Sequence, residues 1–381
     1  MKKIFFTLAV VATVLFVFTG CSMSSVAKRN VANENVSMYR IIKKDKVGFI
    51  DNAGKVVVKP KYERAYDFSE GLAAVCLNDK WGYIDKTGKV IIDLQFDNVF
   101  DFKEGIASVN VDGMWGAIDK NGNFIVEPIY DGVSIFKDGY AVVFQDDECE
   151  FIDNKGNFIY DRTFVGASVF NEGLAIAYNG EKCGYIDLSG EYAIEPQFDE
   201  VGNFREGLAQ VLIYSENDEG LVGFIDKNGN YVVEPQYPYA SAFHEGLALV
   251  GVDQDEFTRF YGFIDKTGKM VIEAKYEDAF DFSDGLAIVF ADGKYGYIDK
   301  TGNVAIELEF DDANVFCQGL AVVNVDGLYG IIDKTGKFVV EPKYSAIDSF
   351  KENADLTSFE IDEENYGYMD KKGKIIWKGK Y

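Results

Sequence analysis

The chain has 381 residues, with 63 Asp or Glu against 38 Lys or Arg, and its formal net charge is −25. A field of that sign repels phosphate backbones and argues against nucleic acid as a partner. A single His, at position 244, leaves little room for imidazole catalysis or a His-based zinc site.

The first segment has the features of an export signal. Lys2 and Lys3 precede an apolar run over 4–18, which is followed by Thr19-Gly20-Cys21. A basic start, an apolar stretch and small residues before a cleavage point are typical of secretory signals, and the Cys resembles that of a bacterial lipobox. We expect a lipoprotein signal peptide over 1–20, lipidation of Cys21, a flexible tether over 21–38, and a folded array over 39–381. This predicts an exported protein of the cell envelope, held to a bacterial membrane through its N-terminal lipid alone.

The rest of the chain is one unit repeated ten times. Most units are 34 residues long. We call one aspartate in each repeat its anchor. A glycine lies three residues after each anchor, and an aromatic residue lies eleven residues after it. The anchors are Asp51, Asp85, Asp119, Asp153, Asp187, Asp226, Asp265, Asp299, Asp333 and Asp370.

Each unit reads as three strands. In the second unit the strands fall at 72–77, 81–84 and 89–94, with a Pro expected to end the third strand in five units. The anchor aspartates sit beside Thr-Gly or Asn-Gly, which is typical of turn capping rather than acid–base catalysis. Extra residues fall between the first and second strands in two units, at 215–220 and 253–259, so that connection is predicted to be an exposed hairpin tip.

Two segments carry a family resemblance. The sequence at 81–89, Trp-Gly-Tyr-Ile-Asp-Lys-Thr-Gly-Lys, and the sequence at 70–75, Glu-Gly-Leu-Ala-Ala-Val, resemble the WG (KWG) repeat of bacterial proteins. Val, Cys or Tyr replaces Trp in most repeats, and Glu150 replaces the following Gly in one. We call the position of this Trp in each repeat the Trp column, and we interpret its side chains as packing residues. The resemblance implies a β-repeat scaffold with no general catalytic activity.

The fold class predicted is all-β, a tandem array of ten mostly three-stranded units. Each unit is too small to bury its own face and must stack on its neighbours. An open solenoid or superhelix is the first expectation, since 34 residues is short for a four-stranded blade and ten blades exceed the usual number. A β-propeller-like closure is the alternative.

A few side chains are candidates for specific roles. Phe144, Tyr178 and Phe290 occupy a variable, outward-facing place in the first strand and could form a ligand strip. Cys149 and Cys183 share the Trp column in adjacent units and could form a disulfide, with two buried thiols as the alternative. His244 and Cys317 each occupy the position between a loop phenylalanine and the two residues that end in Gly246 or Gly319. The residue type at this position varies among repeats, so we call it the variable slot and expect it to face solvent.

No asymmetric set of catalytic residues stands out from the repeats, and no catalytic, cofactor or metal residue is assigned. The chain is therefore expected not to be an enzyme. The function expected is a non-catalytic, lipid-anchored surface scaffold that binds a protein partner through repeat loops or strand faces. The alternative is an envelope polysaccharide- or glycan-binding module.

The lipobox prediction has a direct test. Globomycin, which blocks lipoprotein signal processing, should leave a slower-migrating precursor, and Cys21→Ser should do the same. The reading is wrong if neither treatment alters processing or membrane association on immunoblots of cell fractions.

Overall fold

The structure is a computed structural model that describes residues 37–216, 219–255 and 257–381. These residues form two compact units. One contains the described residues up to Phe170 together with Glu364–Tyr368 and Ile375–Tyr381, and the other contains Asn171–Glu363 and Met369–Lys374. The predicted signal peptide, the lipidation site Cys21 and nearly all of the predicted tether lie outside the described residues.

The described chain contains 38 strands. Those up to Phe170 are β1 (Met38–Lys43), β2 (Lys46–Asp51), β3 (Val56–Tyr62), β4 (Arg64–Ala65), β5 (Leu72–Leu77), β6 (Lys80–Asp85), β7 (Val90–Phe96), β8 (Asn98–Val99), β9 (Ile106–Val111), β10 (Met114–Asp119), β11 (Phe124–Tyr130), β12 (Gly132–Val133), β13 (Tyr140–Gln145), β14 (Glu148–Asp153) and β15 (Gly166–Ala167).

The strands after Asn171 continue the same pattern. They are β16 (Ala175–Tyr178), β17 (Cys183–Ile186), β18 (Tyr192–Phe198), β19 (Glu200–Val201), β20 (Ala209–Tyr214), β21 (Gly220–Ile225), β22 (Tyr231–Tyr237), β23 (Tyr239–Ala240), β24 (Leu247–Asp253), β25 (Arg259–Asp265), β26 (Met270–Tyr276), β27 (Asp278–Ala279), β28 (Leu286–Ala291), β29 (Lys294–Asp299), β30 (Val304–Phe310), β31 (Asp312–Ala313), β32 (Leu320–Val325), β33 (Leu328–Asp333), β34 (Phe338–Tyr344), β35 (Ala346–Ile347), β36 (Leu356–Glu360), β37 (Asn365–Asp370) and β38 (Ile375–Lys380).

Each repeat makes its own small antiparallel sheet, and the described residues contain ten such sheets. Eight of them have four strands in chain order, and two, β1–β3 and β12–β14, have three. The prediction of an all-β array of ten repeats is confirmed, but most repeats have a fourth strand that the sequence pattern missed. That strand is two residues long, as in β4, where Arg64 pairs with Cys76 and Ala65 with Val75. So short a segment carries no detectable alternation.

The proline that was expected to end the third strand lies inside it. In the first sheet Val47 pairs with Tyr62 but Phe49 pairs with Val58, so β3 bulges around Pro60. A bulge accommodates a residue without an N–H donor. The same bulge explains the glycine of the repeat motif, because a Cβ on Gly48 would lie 2.4 Å from the carbonyl oxygen of Val58.

The repeat that lacks this glycine confirms the explanation. Glu150 stands in its place on β14. Only isolated bridges, Cys149 with Phe164 and Ile152 with Phe158, remain where the third strand should lie. A side chain at this position is incompatible with the close backbone approach that the bulge requires.

The hydrophobic core lies between consecutive repeats. One cluster combines Trp81, Ile92 and Phe96 with Phe102 and Val109 of the following repeat. Each repeat is therefore completed by its neighbour, as the sequence predicted.

A carboxylate joins one repeat to the next at the turn before the first long strand. Glu70 accepts hydrogen bonds from the backbone N–H groups of Glu104 and Gly105, at 2.8 and 2.9 Å, and pairs with Lys120 at 3.1 Å. Burial opposes ionisation of Glu70, but the hydrogen bonds from Lys120 and the backbone outweigh it and hold its pKa below the ordinary value. We call this arrangement the carboxylate strut.

The strut recurs along the array. In the unit that contains Asn171–Glu363, Lys partners pair with the strut carboxylates of Glu172, Glu206 and Glu245. The strut carboxylates accept backbone N–H groups from Gly207, Gly246 and Gly285. Because the strut glutamates themselves have positive φ, these turns hold strained backbone in place.

The first and last repeats meet within one of the two units. The Tyr366 hydroxyl donates to the carbonyl oxygen of Ile42 at 2.8 Å, and the Tyr368 hydroxyl donates to that of Arg40 at 2.7 Å. The Tyr39 and Tyr368 rings lie 5.4 Å apart. The first and last repeats of an open solenoid lie at opposite ends, so the prediction of an open solenoid is wrong. The propeller-like closure given as its alternative fits these contacts, and the sheets are its blades.

The strut predicts a pH dependence of stability. Burial opposes ionisation of Glu206, but bonds from Lys266 and the Gly246 N–H keep its pKa below 4.5. A carboxyl with a lowered folded-state pKa stabilises the fold above its unfolded-state pKa and loses that contribution as the pH falls through the folded value. Glu206→Gln should lower the urea midpoint at pH 7, and the deficit should shrink between about pH 5 and pH 3.

Glu234→Gln is the matched control, because Glu234 is exposed on β22. Its urea midpoint should follow that of the unmodified chain at every pH. A deficit for Glu206→Gln that stays constant across the pH range would contradict the strut.

Candidate functional site

The two inserted hairpins are the largest departures from the repeat. Both lie in the unit that contains Asn171–Glu363. The first joins β20 to β21 and the second joins β24 to β25. The structure thus places both insertions where the sequence predicted them, at the tips of two-stranded hairpins.

The second hairpin is fixed by its own side chains. Arg259 donates from Nε and Nη2 to the two carboxylate oxygens of Asp253, at 2.6 and 3.2 Å. Near the tip, the Gln254 N–H donates to the carbonyl oxygen of Thr258 at 2.8 Å. The Arg259 hydrogen bonds hold the pKa of Asp253 below its ordinary value, so the pair is ionised at neutral pH.

A glycine at the base of this hairpin makes room for the arginine. A Cβ on Gly251 would lie 2.6 Å from Cδ of Arg259 and 3.2 Å from Cβ of Tyr239. The Tyr239 and Tyr261 rings, on either side of Gly251, meet edge to face at 5.8 Å. The base is therefore packed, although the tip extends beyond the repeat.

The tip presents one aromatic side chain to solvent. Phe257 is 91% exposed, whereas the next most exposed large apolar side chain in the described ranges, Ile129, is 54% exposed. The Phe257 N–H donates to the Asp255 carboxylate at 2.9 Å, which lowers the pKa of Asp255. Sequence reasoning found the insertion but missed Phe257. The available signal was an aromatic residue among the polar residues of a loop.

The first hairpin carries a partly exposed tyrosine. Tyr214 is 45% exposed, and its hydroxyl donates to Glu200 at 3.2 Å. Its N–H donates to the Asp199 carboxylate at 2.9 Å. The ring is held against its own sheet, so it offers less free surface than Phe257.

Comparison with protein families identifies the repeat. The family model described as WG containing repeat matches residues 48–81, 81–115, 115–149, 151–183, 184–214, 223–254, 261–295, 295–329 and 329–362. The chain belongs to the WG-repeat family. No curated protein matches it.

Two solved structures resemble this WG-repeat chain. A structure titled "Crystal structure of the eukaryotic initiation factor" is 11% identical, with 92% of this chain and 96% of that chain covered and a TM-score of 0.54. BamB from Moraxella catarrhalis is 12% identical, with 82% and 95% covered and a TM-score of 0.34. At this identity the first likeness concerns the fold alone.

The predicted ligand strip is placed on separate sheets. Phe144, Tyr178 and Phe290 are all half-buried. A Cβ added to Gly132 would lie 3.3 Å from the Phe144 ring. The Tyr178 hydroxyl donates a hydrogen bond to the carbonyl oxygen of Gly180 at 2.7 Å. The Phe290 and Tyr295 rings lie 4.6 Å apart. Each ring is therefore engaged within its own repeat, and a ligand role for these residues stays a prediction.

The structure has Cys149 and Cys183 as free thiols and contains no bridge between them. Burial raises the pKa of Cys149 to about 12 and that of Cys183 to about 11. The disulfide argument assumed that strands of successive repeats stack directly, but strands pair within their own sheet, Cys149 with Phe144 and Cys183 with Tyr178. A disulfide between them stays a prediction that mass spectrometry of non-reduced digests can check.

The prediction that the variable slot faces solvent is wrong for Cys317, which is buried, and His244 is half-buried, although Lys103 and Lys351 in the same slot are exposed. Ser283 and Cys317 in this slot are only 6% and 4% exposed. The slot residue bridges the backbone three residues ahead, as Ser283 does with Leu286, and its side chain reaches the next repeat. The Ser283 hydroxyl thus donates to the carbonyl oxygen of Phe316 at 2.7 Å.

His244 in the same slot joins a polar cluster between repeats. Its Nε2 lies 2.6 Å from Nη1 of Arg205 and 3.5 Å from Oδ2 of Asp281. Burial lowers the pKa of His244. The Asp281 carboxylate acts to raise this pKa and the Arg205 charge acts to lower it, and the net shift is downward. The Ser241 hydroxyl bonds Asp281 rather than His244, so the order of a nucleophilic triad is missing.

The anchor aspartates cap turns, as predicted. Asp85 is typical, since one carboxylate oxygen accepts the N–H groups of Thr87 and Lys89 at 2.8 and 3.1 Å. Across the described residues, no group of three or more His, Cys, Asp or Glu side chains is placed to hold a metal ion. The same residues include no helix with the length and hydropathy needed to cross a membrane.

The arginine clamp predicts a local effect. Arg259→Ala removes both bonds to Asp253, so proteases should cut the hairpin several times faster while the global urea midpoint stays nearly unchanged, since the pair is largely exposed. Timed limited proteolysis with mass spectrometry measures this. Arg162→Ala, outside the hairpin, should leave the cutting rate unchanged, and equal acceleration by both changes would count against the clamp.

Proposed function

We propose that this WG-repeat chain is a non-catalytic scaffold, lipid-anchored in the bacterial cell envelope, that binds a protein partner through the hairpin 253–259. The observation that carries the proposal is the exposure of Phe257 near the tip of the inserted hairpin. Exposed aromatic side chains of this kind are energetically costly in water and are frequent anchors of protein interfaces.

A protein partner fits the shape of the tip. Phe257 projects from a narrow hairpin whose neighbours Asp253 and Asp255 are charged. A single convex ring of this kind is best buried in an apolar pocket, which a folded protein provides on all sides of the ring. Burying one phenyl ring contributes about 1.5–3 kcal/mol relative to leaving it exposed.

The envelope location rests on the sequence of residues 1–21. A lipid on Cys21 would hold the array near the membrane surface, where the hairpin could meet a partner. The wholly repetitive scaffold supports a binding role, since the repeats supply one continuous framework on which loops vary.

The test combines cross-linking with substitution. A photoreactive phenylalanine analogue at position 257 should cross-link one protein in native cells, whereas the same analogue at position 158 should not. Phe158 is a matched control because it is 49% exposed but lies outside the hairpins. Phe257→Ala should weaken binding of the cross-linked protein at least about tenfold.

The proposal fails if position 257 yields no cross-linked protein. It also fails if position 158 yields the same protein equally well, or if Phe257→Ala and Phe158→Ala have equal effects on the affinity.

A further inference from the structure

Two stacked aromatic pairs lie in adjacent repeats of the unit that contains the first strands. The Tyr66 ring stacks on Trp81 at 4.9 Å with an interplanar angle of 21°, and the Phe100 ring stacks on Trp115 at 5.2 Å and 29°. In each pair the first ring lies on the loop after the short strand, and the tryptophan lies on the second long strand. We call Tyr66 and Phe100 the aromatic platform.

The platform is rigid but open. Trp81 is only 3% exposed, being covered by Tyr66 on one side and approached by the Arg64 guanidinium at 5.2 Å. Tyr66 and Phe100 are 38% and 42% exposed. The tryptophans therefore hold the outer rings in place while the outer rings remain accessible to a ligand.

The two rings lie on equivalent loops of adjacent repeats, and these repeats are joined by hydrogen bonds. The Tyr83 hydroxyl donates to the carbonyl oxygen of Phe100 at 2.7 Å. On the other side, the Tyr66 N–H donates to the carbonyl oxygen of Ala74 at 3.0 Å, and Ala74 pairs with Tyr83. The loops that carry the two platform rings are therefore joined through Tyr83.

A carboxylate follows each platform ring directly in the sequence. Asp67 is 43% exposed and pairs with Arg40 at 2.7 Å, and Asp101 is half-buried. Carboxylate oxygens accept hydrogen bonds from hydroxyl groups. Each repeat therefore combines an aromatic face with a nearby acceptor.

Charge decides which flat ligand suits this combination. Nucleobases stack on aromatic rings, but nucleic acids carry phosphates that a net charge of −25 repels. Uronic-acid and phosphate-bearing polysaccharides are repelled in the same way. A neutral pyranose offers a face of C–H bonds to an aromatic ring and hydroxyls to a carboxylate.

We propose that Tyr66 and Phe100, with Asp67 and Asp101, form a binding site for a neutral oligosaccharide, one pyranose ring on each aromatic face. This site does not depend on the proposed protein-binding hairpin and uses none of the residues of the expected strip. It would allow the scaffold to engage an envelope glycan as well as a protein.

The chain offers a matched control in a third repeat. Phe280 is followed by Asp281 and is 36% exposed, like the platform residues. The Trp column there holds Tyr295, whose ring contacts Phe290 rather than Phe280. Phe280→Ala thus removes a similar exposed ring without a stacked tryptophan beneath it.

Binding can be followed by intrinsic fluorescence, because Trp81 and Trp115 lie directly under the platform. The full-length chain, in a zwitterionic detergent without sugar groups, is titrated with cellotetraose, chitotetraose and maltotetraose, and with tetragalacturonic acid as the anionic probe. At least one neutral probe should change the emission saturably, and the anionic probe should not. Tyr66→Ala and Phe100→Ala should each weaken binding at least about tenfold, while Phe280→Ala and Tyr66→Phe keep it.

Circular dichroism and the urea midpoint establish that each variant is folded, and Tyr66→Phe retains a stacked ring if Tyr66→Ala does not fold. The proposal is overturned if no neutral probe binds, if the anionic probe binds equally, or if Phe280→Ala weakens binding as much as Phe100→Ala. A protein cross-linked through position 100 in place of sugar binding would also overturn it. None of these outcomes bears on cross-linking through position 257, so the two proposals fail separately.

Discussion

A carboxylate that reaches from one repeat into the turn of the next, as at Glu70, Glu206 and Glu245, is the interaction on which the array depends. Glu70 satisfies the backbone N–H groups of Glu104 and Gly105 and is itself neutralised by Lys120. A repeat of this size cannot bury its own apolar face, so any register error between repeats would expose core on both. The hydrogen bonds of the strut are directional and fix that register, whereas the apolar packing of the core is non-directional.

Close backbone approach is the second requirement, and it explains the small residue of the family motif. The bulged third strand touches Gly48 and its equivalents so closely that a Cβ would collide with the strand's carbonyl. The repeat containing Glu150 shows the consequence, since its third strand is reduced to two isolated bridges. The tryptophan of the motif is more replaceable, because its role at Trp81 is to fill space beneath Tyr66.

These requirements leave two regions free to vary. The hairpin tip between the first two long strands accepts insertions, and in one repeat it presents Phe257 on a base fixed by Arg259. The loop after the short strand accepts exposed rings, as at Tyr66 and Phe100. Both proposed binding surfaces therefore use positions that neither the core nor the strut constrains, which lets ligand specificity change without loss of the fold.

The sequence alone determined the repeat, its long strands, its turn caps and the place of its insertions, because these follow from residue spacing and local backbone preferences. Asp85 caps its turn because its own neighbours supply the N–H groups. Only the tertiary structure decided that the first and last repeats meet through Tyr366 and Ile42, since local backbone preferences do not encode a contact between residues 324 positions apart. The tertiary structure also decided the surroundings of three other side chains. Cys317 is buried and Tyr66 stacks on Trp81 because the fold brings separate segments into contact, whereas the folded chain leaves the Phe257 ring exposed.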